Sequence, residues 1–310
     1  MKMSLIYYLK SRVRRYRILE FVLFFIYTRF TFTYRTIQAK FVNVLIKTIK
    51  KAIIKKEICG IYIVGDSTIL ELEDGRKFYW DTPDRMSLLG MGLTGVWEHD
   101  DTEYLKKVVK RGDVAIDIGA NYGFHTILFS KLVGERGKVY SFEPLKSMFG
   151  ELQKNISLNS SQENTVLANC ALGEKLGYVK IYVPKIMGRG ASALVARGTT
   201  VEQETVEIIT LDSYVSRMKI KKVDFIKCDI EGAELLAFQG TIKVLKKYRP
   251  TLMFEITRGS SEAFGYTPEI LLDFLGGFGY EFYYVAEARL LKIKPASIPY
   301  FHGNCFAFPK

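Results

Sequence analysis

From residue 113 onward, short continuous apolar runs alternate with longer stretches of helical period. "DVAIDI", "GKVYSFE", "NTVLANCAL", "VDFIKCDI" and "PTLMFEI" have strand length and are bounded by Gly, Pro or acidic residues. Between and after them "GFHTILFSKLV", "SMFGELQKNISLN", "GAELLAFQGTIKVLKK" and "PEILLDFLGGFG" read as helices. Strands without polar alternation, separated by helices, argue for an α/β fold with a parallel sheet covered on both faces. "YEFYYV" and "NCFAFP", joined by an extended loop with no helix, predict an antiparallel pair at the sheet edge. Residues 177–210 interrupt the alternation: "YVKIYVP", "GRGASALVARG" and "ETVEIITLDSYV" predict a strand-rich insertion around a polar loop.

Upstream the pattern is different. "GIYIVGDSTILELEDGRKFYW" alternates apolar and polar residues, which predicts strands, with a turn at Asp74-Gly75. Residues 100–111 predict an amphipathic helix with Tyr104, Leu105, Val108 and Val109 on one face. Residues 1–56 are basic, aromatic and poor in Gly and Pro. The chain therefore divides into a basic extension (1–56), a β-rich lead-in (57–100) and an α/β domain (101–310).

Charge sharpens this division. The net charge is +12, from 45 Lys and Arg against 33 Asp and Glu. Fourteen of the basic residues and only Glu20 of the acids lie in 1–56, which leaves 31 basic and 32 acidic residues for the rest. A nucleic-acid binder should carry its basic patch on the folded body, so no nucleic-acid partner is expected. The longest apolar core of the extension, Phe21 to Tyr27, is far short of the roughly 20 residues of a spanning helix. No small-residue cleavage site follows it, which weighs against a signal peptide. The extension reads as helices packed on the body or as a surface lying on an anionic membrane. A cytoplasmic protein, with or without peripheral membrane contact, is expected. Cys59, Cys170, Cys228 and Cys305 lie far apart, and the expectation is buried free thiols and no zinc site.

The candidate chemistry begins in "DVAIDIGANYGFHTILFSKLVGERGKVYSFEP". In a doubly wound sheet, ligands bind beyond the carboxyl ends of the strands. Asp117 ends the first strand, Gly119 and Gly123 permit a tight turn, and Glu143 ends the next strand, where a carboxylate can accept ribose hydroxyls. A nicotinamide fingerprint needs GxGxxG, whereas "GANYGF" has Asn121 and Phe124 at the second and third glycine positions. The loop suits an adenosyl cofactor without pyrophosphate. Downstream, "VDFIKCDIEGAELLAFQG" places Asp229, Glu231 and Glu234 at another strand end, and "TLMFEI" adds Glu255. Each acid alone is well explained as a helix cap; four on one rim point to a site for ribose, ammonium, acceptor hydroxyls or a divalent cation. His125 is expected only to pack at the start of its helix.

These residues resemble the FkbM-type methyltransferases that use S-adenosylmethionine. The resemblance rests on "GDVAIDIGANYGFHT", "GKVYSFEP", "NCALGE", "ITLDSYV", "VDFIKCDIEGAELLAFQG", "PTLMFEI" and "NCFAFP", and covers roughly residues 95–310. It implies a class I methyltransferase fold, Rossmann-like, with a seven-stranded sheet and a terminal antiparallel β-hairpin. It implies O-methylation of a hydroxyl on a sugar, glycan, glycolipid or natural product. By position, Asp117 and the loop Gly119, Ala120, Asn121, Tyr122 and Gly123 would line the methionine end of the cofactor. Glu143, followed by Pro144, would hold the ribose, and Asn169, Cys170 and Ala171 would lie near the adenine. Asp229 would stand between cofactor and acceptor. Glu98, in "GVWEHDDTEYL", matches an acid that closes over the cofactor. Asp229, Glu231 or Glu255 would act on the acceptor. A positioned acceptor needs a base for its proton; a metal-free base is preferred here over a carboxylate-bound cation. Two rivals stand beside this reading: an NAD-dependent sugar oxidoreductase, which Asn121 disfavours, and a non-catalytic membrane adaptor on a methyltransferase core.

Overall fold

The computed structural model describes residues 58–79, 99–184, 201–287, 289–293 and 301–310. The expectations for residues 1–56 and for Glu98 lie outside the described residues. The chain divides into two compact units, one formed by residues 1–81 and 85–97 and the other by 82–84 and 98–310.

In the first unit, β1 (Ile58–Val64), β2 (Ser67–Leu72) and β3 (Lys77–Tyr79) form an antiparallel three-stranded sheet. Asp74 and Gly75 make the β2–β3 turn, with Gly75 at φ +75 as the turn requires. Leu70 and Phe78 are buried on one face, in the period-two pattern the sequence carries. Cys59 departs from the expectation of buried thiols and is exposed, since a strand of this small sheet has a face to solvent; the other three cysteines are buried, and all four are free.

In the second unit the elements run α1 (His99–Val108), β4 (Val114–Ile118), α2 (Phe124–Val133), β5 (Lys138–Phe142), α3 (Lys146–Leu158), β6 (Thr165–Ala168), β7 (Ala171–Leu172), β8 (Gly177–Pro184), β9 (Val201–Ile209) and α4 (Leu211–Arg217). They continue with β10 (Phe225–Cys228), α5 (Glu234–Gln239), α6 (Ile242–Tyr248), β11 (Thr251–Ile256), α7 (Arg258–Ala263), α8 (Pro268–Gly276), β12 (Tyr280–Ala286), β13 (Arg289–Lys292) and β14 (Gly303–Pro309). The large sheet has the order β13-β12-β14-β11-β10-β4-β5-β6. Its pairs from β11 to β6 are parallel, and those of β14 and β12 are antiparallel. The sheet has one strand more than the seven expected. β13 pairs antiparallel with β12 and takes the edge, and β14 inserts between β11 and β12 rather than lying outermost.

Alternation along the central strands explains the continuous apolar runs. Ala115, Phe225, Met253 and Phe306 pack with Leu105 of α1, with Val109 just after it, and with Leu128, Phe129 and Val133 of α2. Their strand neighbours Ile116, Ile226, Cys228, Leu252, Phe254 and Cys305 point to the opposite face, against α5, α6 and α8. Both faces are covered, so no position in these strands is free to be polar without a reason.

Three boundaries differ from the sequence pattern, each for a tertiary reason. "NTVLANCAL" splits into β6 and β7, because the Asn169 amide donates to the carbonyls of Glu143 (2.8 Å) and Pro144 (2.9 Å) and turns the chain out of the large sheet. β7 then joins β9 and β8 in the predicted insertion. The helix expected through "GAELLAFQGTIKVLKK" breaks at Gly240, where a Cβ would stand 2.0 Å from the Gly173 carbonyl. The second half begins where Asp212 caps it, its carboxylate accepting from the amides of Lys243 and Val244 at 2.9 and 3.0 Å. "TLDSYV", taken with the preceding strand, is the helix α4, whose first turn is closed by the Ser213 amide donating to Thr210 Oγ1 (3.1 Å).

Candidate functional site

The sheet order brings the four acids predicted at strand ends into one row, since β5, β4, β10 and β11 are consecutive neighbours. Asp117 is the fourth residue of β4, Glu143 and Asp229 directly follow β5 and β10, and Glu255 is the fifth residue of β11. Parallel pairing runs to Cys228↔Phe254, so Asp229 and Glu255 come next on neighbouring strands.

The loop between β4 and α2 is held in a conformation that explains its composition. Gly119, Asn121 and Gly123 are all left-handed, at φ +78, +52 and +98. Asparagine is the side chain most at ease in that region after glycine, so Asn121 keeps the backbone geometry and adds an amide. A Cβ on Gly119 would stand 2.0 Å from the Asp229 carbonyl, so the loop and the β10 end are in direct contact. The loop is tied down from three sides. Asn121 N donates to Glu143 Oε2 (2.9 Å), Asn155 of α3 donates to the Tyr122 carbonyl (2.9 Å), and the amides of Gly119 and Ala120 donate to the Phe142 carbonyl (3.0 Å each). The side chains of Ala120 and Tyr122 are buried in protein, which leaves their backbone as the part able to meet a ligand.

Beneath the loop lies a charge arrangement that the sequence reading missed. Lys227 is buried, and its Nζ lies 3.6 Å from Asp117 Oδ1 and 3.2 Å from Asp229 Oδ2. It also donates to the Gly119 carbonyl at 3.2 Å. The register pairs Lys227 directly with Asp117, and strand alternation puts both on the α2 face. Thr126 of α2 donates to Asp117 Oδ2 (2.6 Å). One ammonium thus bridges two carboxylates on neighbouring strands and holds the glycine loop between them. The signal was available: a lysine inside a strand with no other polar residue needs a charged partner when buried.

Glu143 is buried, and burial pushes its carboxyl up to about 7 against the pull of the amides of Leu145 and Asn121 and of the Lys227 charge. Each of its oxygens accepts one of those amides, Oε1 from Leu145 (3.0 Å) and Oε2 from Asn121; a carboxylate oxygen has two lone pairs, so each keeps one for a ligand. Asn169 is exposed beside this corner, whereas Cys170 is buried in the core and its thiol is pushed up to about 11 chiefly by burial.

On the other side of the loop, Glu231 and Gly232 are both left-handed (φ +57 and +106), a cost for Glu231 of the kind found at functional turns. Glu234 braces this turn from below. Its Oε1 accepts from the amides of Ile230 (3.0 Å) and Gly232 (3.1 Å), and the Tyr266 hydroxyl lies 3.3 Å from Oε2. Burial pushes its carboxyl up to about 7. Glu255 is half-buried; burial and then the charges of Asp229, Glu231 and Glu234 raise its carboxyl to about 8. Among the described residues, no three His, Cys, Asp or Glu side chains converge so as to hold a metal ion. His125 is buried between the rings of Phe124 and Phe129, at centroid distances of 5.2 and 6.0 Å.

The arrangement offers a buried acceptor, Asn121 Oδ1, with no hydrogen-bond partner among the described residues. Close to it are two carboxylates at strand ends and the amino end of α2, which has no side-chain cap. An ammonium suits the first group and a carboxylate the second, so the pocket fits the zwitterionic end of an amino-acid cofactor. No helix among the described residues is long and apolar enough to cross a membrane.

Residues 117–282 match the family described as "Methyltransferase FkbM domain". The hexuronic acid methyltransferase AglP of Haloferax volcanii is 25% identical over 48% of this chain and 58% of its own length. The methyltransferase sdnD of Sordaria araneosa is 24% identical over 40% of this chain and 59% of its own length. The chain thus spans less than two thirds of either relative. Among solved structures, a methyltransferase FkbM from Methylobacillus flagellatus aligns with a TM-score of 0.42 at 15% identity, covering 72% of this chain and 52% of that one; a likeness this distant has no bearing on substrate.

Proposed function

Because the chain belongs to the FkbM methyltransferase family, whose domain matches more than half of it, we propose that it transfers a methyl group from S-adenosylmethionine to a hydroxyl oxygen of a sugar, glycan, glycolipid or natural-product acceptor. When bound, the cofactor supplies a methyl group already activated on a sulfonium. Asp117, Asn121 and the backbone of Gly119 to Gly123 would hold its amino-acid end. Glu143, with Pro144 behind it, would take the ribose, and Asn169, Cys170 and Ala171 the adenine.

The observation that carries the hydroxyl acceptor is Glu255. A carboxylate acceptor arrives without a proton and needs no base, whereas an alcohol must lose one. Glu255, raised to about 8 beside Asp229 and Glu231, is matched to that task near neutral pH. Asp229 Oδ2 is occupied by Lys227, which suits it to positioning. Glu231, on the left-handed turn, would receive further acceptor hydroxyls. The remaining work is alignment of the acceptor oxygen, which a rigid turn braced by Glu234 favours. The acidic rim suits neutral, hydroxyl-rich acceptors; the relative named for a hexuronic acid, an anionic sugar, supports only the broad class of saccharides as the first to try.

Calorimetry with S-adenosylmethionine, S-adenosylhomocysteine and NAD tests the cofactor; tight binding of NAD alone would replace this reading with the oxidoreductase. Mass spectrometry of a saccharide and glycolipid panel, scored for a gain of one methylene, tests the acceptor. In Glu255→Gln the cofactor should bind as in the wild type while turnover falls by about 10²-fold or more. Undiminished turnover in that variant would remove Glu255 from the reaction.

A further inference from the structure

Beyond residue 56 the chain is nearly balanced in charge, but its charges are sorted along the strands. The carboxyl ends of β4, β5, β10 and β11 carry Asp117, Glu143, Asp229, Glu231 and Glu255. The turns at the amino ends are basic. Lys110 and Arg111 precede β4, Arg136 precedes β5, and Lys219, Lys221 and Lys222 precede β10; all six are exposed. We propose that this end of the sheet is a docking surface for a membrane rich in anionic phospholipid, opposite the strand ends of the candidate site. The docking is independent of what that site transfers.

Strand register makes the patch continuous. β5, β4 and β10 are parallel neighbours, with Val114↔Lys138 and Ala115↔Phe225 paired near their starts. Lys222 Nζ lies 2.9 Å from Asp224 Oδ2 and 4.0 Å from Asp113 Oδ1, which ties the β10 turn to the β4 turn. Arg111 reaches the β5 turn, where a Cβ on Gly134 would stand 3.3 Å from its Nε. Asp113 and Asp224 are also engaged by the backbone, accepting from the amides of Lys110 (2.8 Å) and Val114 (2.7 Å). Glu135 is the other acid of these turns. The last turns of α1, α4 and α6 are basic too, as the negative end of a helix favours. That attraction fades past the last turn, where the six residues stand.

Met218 is a second, independent observation. It is the C-cap residue of α4, stands between Arg217 and Lys219, and is 45% exposed. The loop that carries it is fixed. The amides of Met218, Lys219 and Ile220 donate to the carbonyls of Tyr214, Ser216 and Val215 at 2.9, 3.1 and 3.0 Å. Ile220 is buried, and the Tyr248 hydroxyl donates to its carbonyl at 2.9 Å. Lys219 is left-handed at φ +53, an uncommon conformation for a lysine. A fixed backbone thus presents one apolar side chain within a basic surround. That combination suits a lipid interface, where the apolar tip enters the headgroup boundary and the cations meet phosphate. Residues 1–56, with fourteen Lys and Arg against Glu20, would add to the same attraction. A polynucleotide would also be drawn to a basic surface. It gains nothing from Met218, however, and as a substrate it would lie at the end of the sheet away from Asp229 and Glu255.

Flotation of the full chain with vesicles tests this. Vesicles of equal parts phosphatidylcholine and phosphatidylserine should carry the protein, vesicles of phosphatidylcholine alone should not, and salt should weaken the binding. The triple variant Arg136→Gln/Lys219→Gln/Lys221→Gln should melt as the wild type does and lose about 10²-fold in vesicle affinity, since each cation at an anionic surface is worth roughly fivefold. The three buried cysteines leave Cys59 as the exposed thiol, so a Cys59→Ser background accepts a polarity-sensitive thiol dye at one chosen place. At Met218→Cys the dye should shift to the blue on the phosphatidylserine vesicles. At Ala263→Cys, exposed at the end of α7 beyond β11, it should not. Absence of vesicle binding, unchanged affinity in the triple variant, or a blue shift at 263 rather than 218 would each overturn the docking surface. Tight binding of a duplex oligonucleotide without vesicle binding would overturn it in favour of a nucleic-acid partner.

Discussion

The residue that organises the site is Lys227. A lysine flanked by Ile226 and Cys228 in a fully buried strand is costly unless paired, and here it pairs twice, with Asp117 and Asp229. Removing one member of a buried ionic group costs more than the group contributes, because the partners are left uncompensated. Lys227→Met should therefore destabilise the protein by about 3–5 kcal/mol in chemical denaturation. Adding Asp117→Asn should recover part of that loss; a fully additive double mutant would mean that the ion pair is energetically idle. Glu234 makes an opposite case. Its carboxyl is raised to about 7 in the folded protein. A raised acid contributes stability that is complete below the unfolded value near 4.5 and is lost as pH rises through about 7. Glu234→Gln keeps an oxygen for the amides of Ile230 and Gly232 and carries no charge. Relative to the wild type it should gain stability between pH 5 and 8, by an amount on the order of 1–3 kcal/mol. Denaturation at several pH values would measure this, and a difference independent of pH would refute it. A lysine in an apolar strand signalled that Lys227 needs a charged partner, but Asp117, over 100 residues away, is named only by strand register; the role of Glu234 depends on the left-handed turn at Glu231 and Gly232, which the local pattern does not announce.

At the scale of elements, the turn chemistry was legible and the helix ends were not. "GANYG" announces a tight turn, and the structure shows three left-handed positions there. Gly119 is the strictest of them. Its φ of +78 disfavours any side chain, and a Cβ would collide with the Asp229 carbonyl. Gly119→Ala should force the β4 loop and the β10 turn apart, cost about 1–3 kcal/mol, and weaken S-adenosylmethionine binding in calorimetry. Gly150→Ala, on α3 with open space around its Cβ, is the control and should be neutral or stabilising. By contrast, the break at Gly240 and the start of α6 depend on Gly173 and Asp212. Those contacts arrive from elsewhere in the chain, so a helical period running through "GAELLAFQGTIKVLKK" gave no hint of them.

For the whole molecule, the alternation of apolar runs and helices was enough to predict a parallel sheet with both faces covered, and hence a row of strand ends on which acids could meet. It was not enough to place β13 at the edge, since Arg289–Lys292 is short and mostly exposed, and two leucines between basic residues are too few to mark a strand. The two core clusters bear on how the chain is divided. Among the described residues, the buried members of both fall between Leu105 and Ala307, so the α/β unit supplies a large apolar core of its own. Residues 98–310 produced alone should then unfold in one cooperative transition. They should bind S-adenosylmethionine with the affinity of the full chain, since Asp117, Asn121, Glu143, Lys227 and Asp229 are all retained. Scanning calorimetry and titration calorimetry on the two proteins make the comparison. A fragment that folds but binds more than tenfold weaker would refute the sufficiency of those five residues and their loop for holding the cofactor.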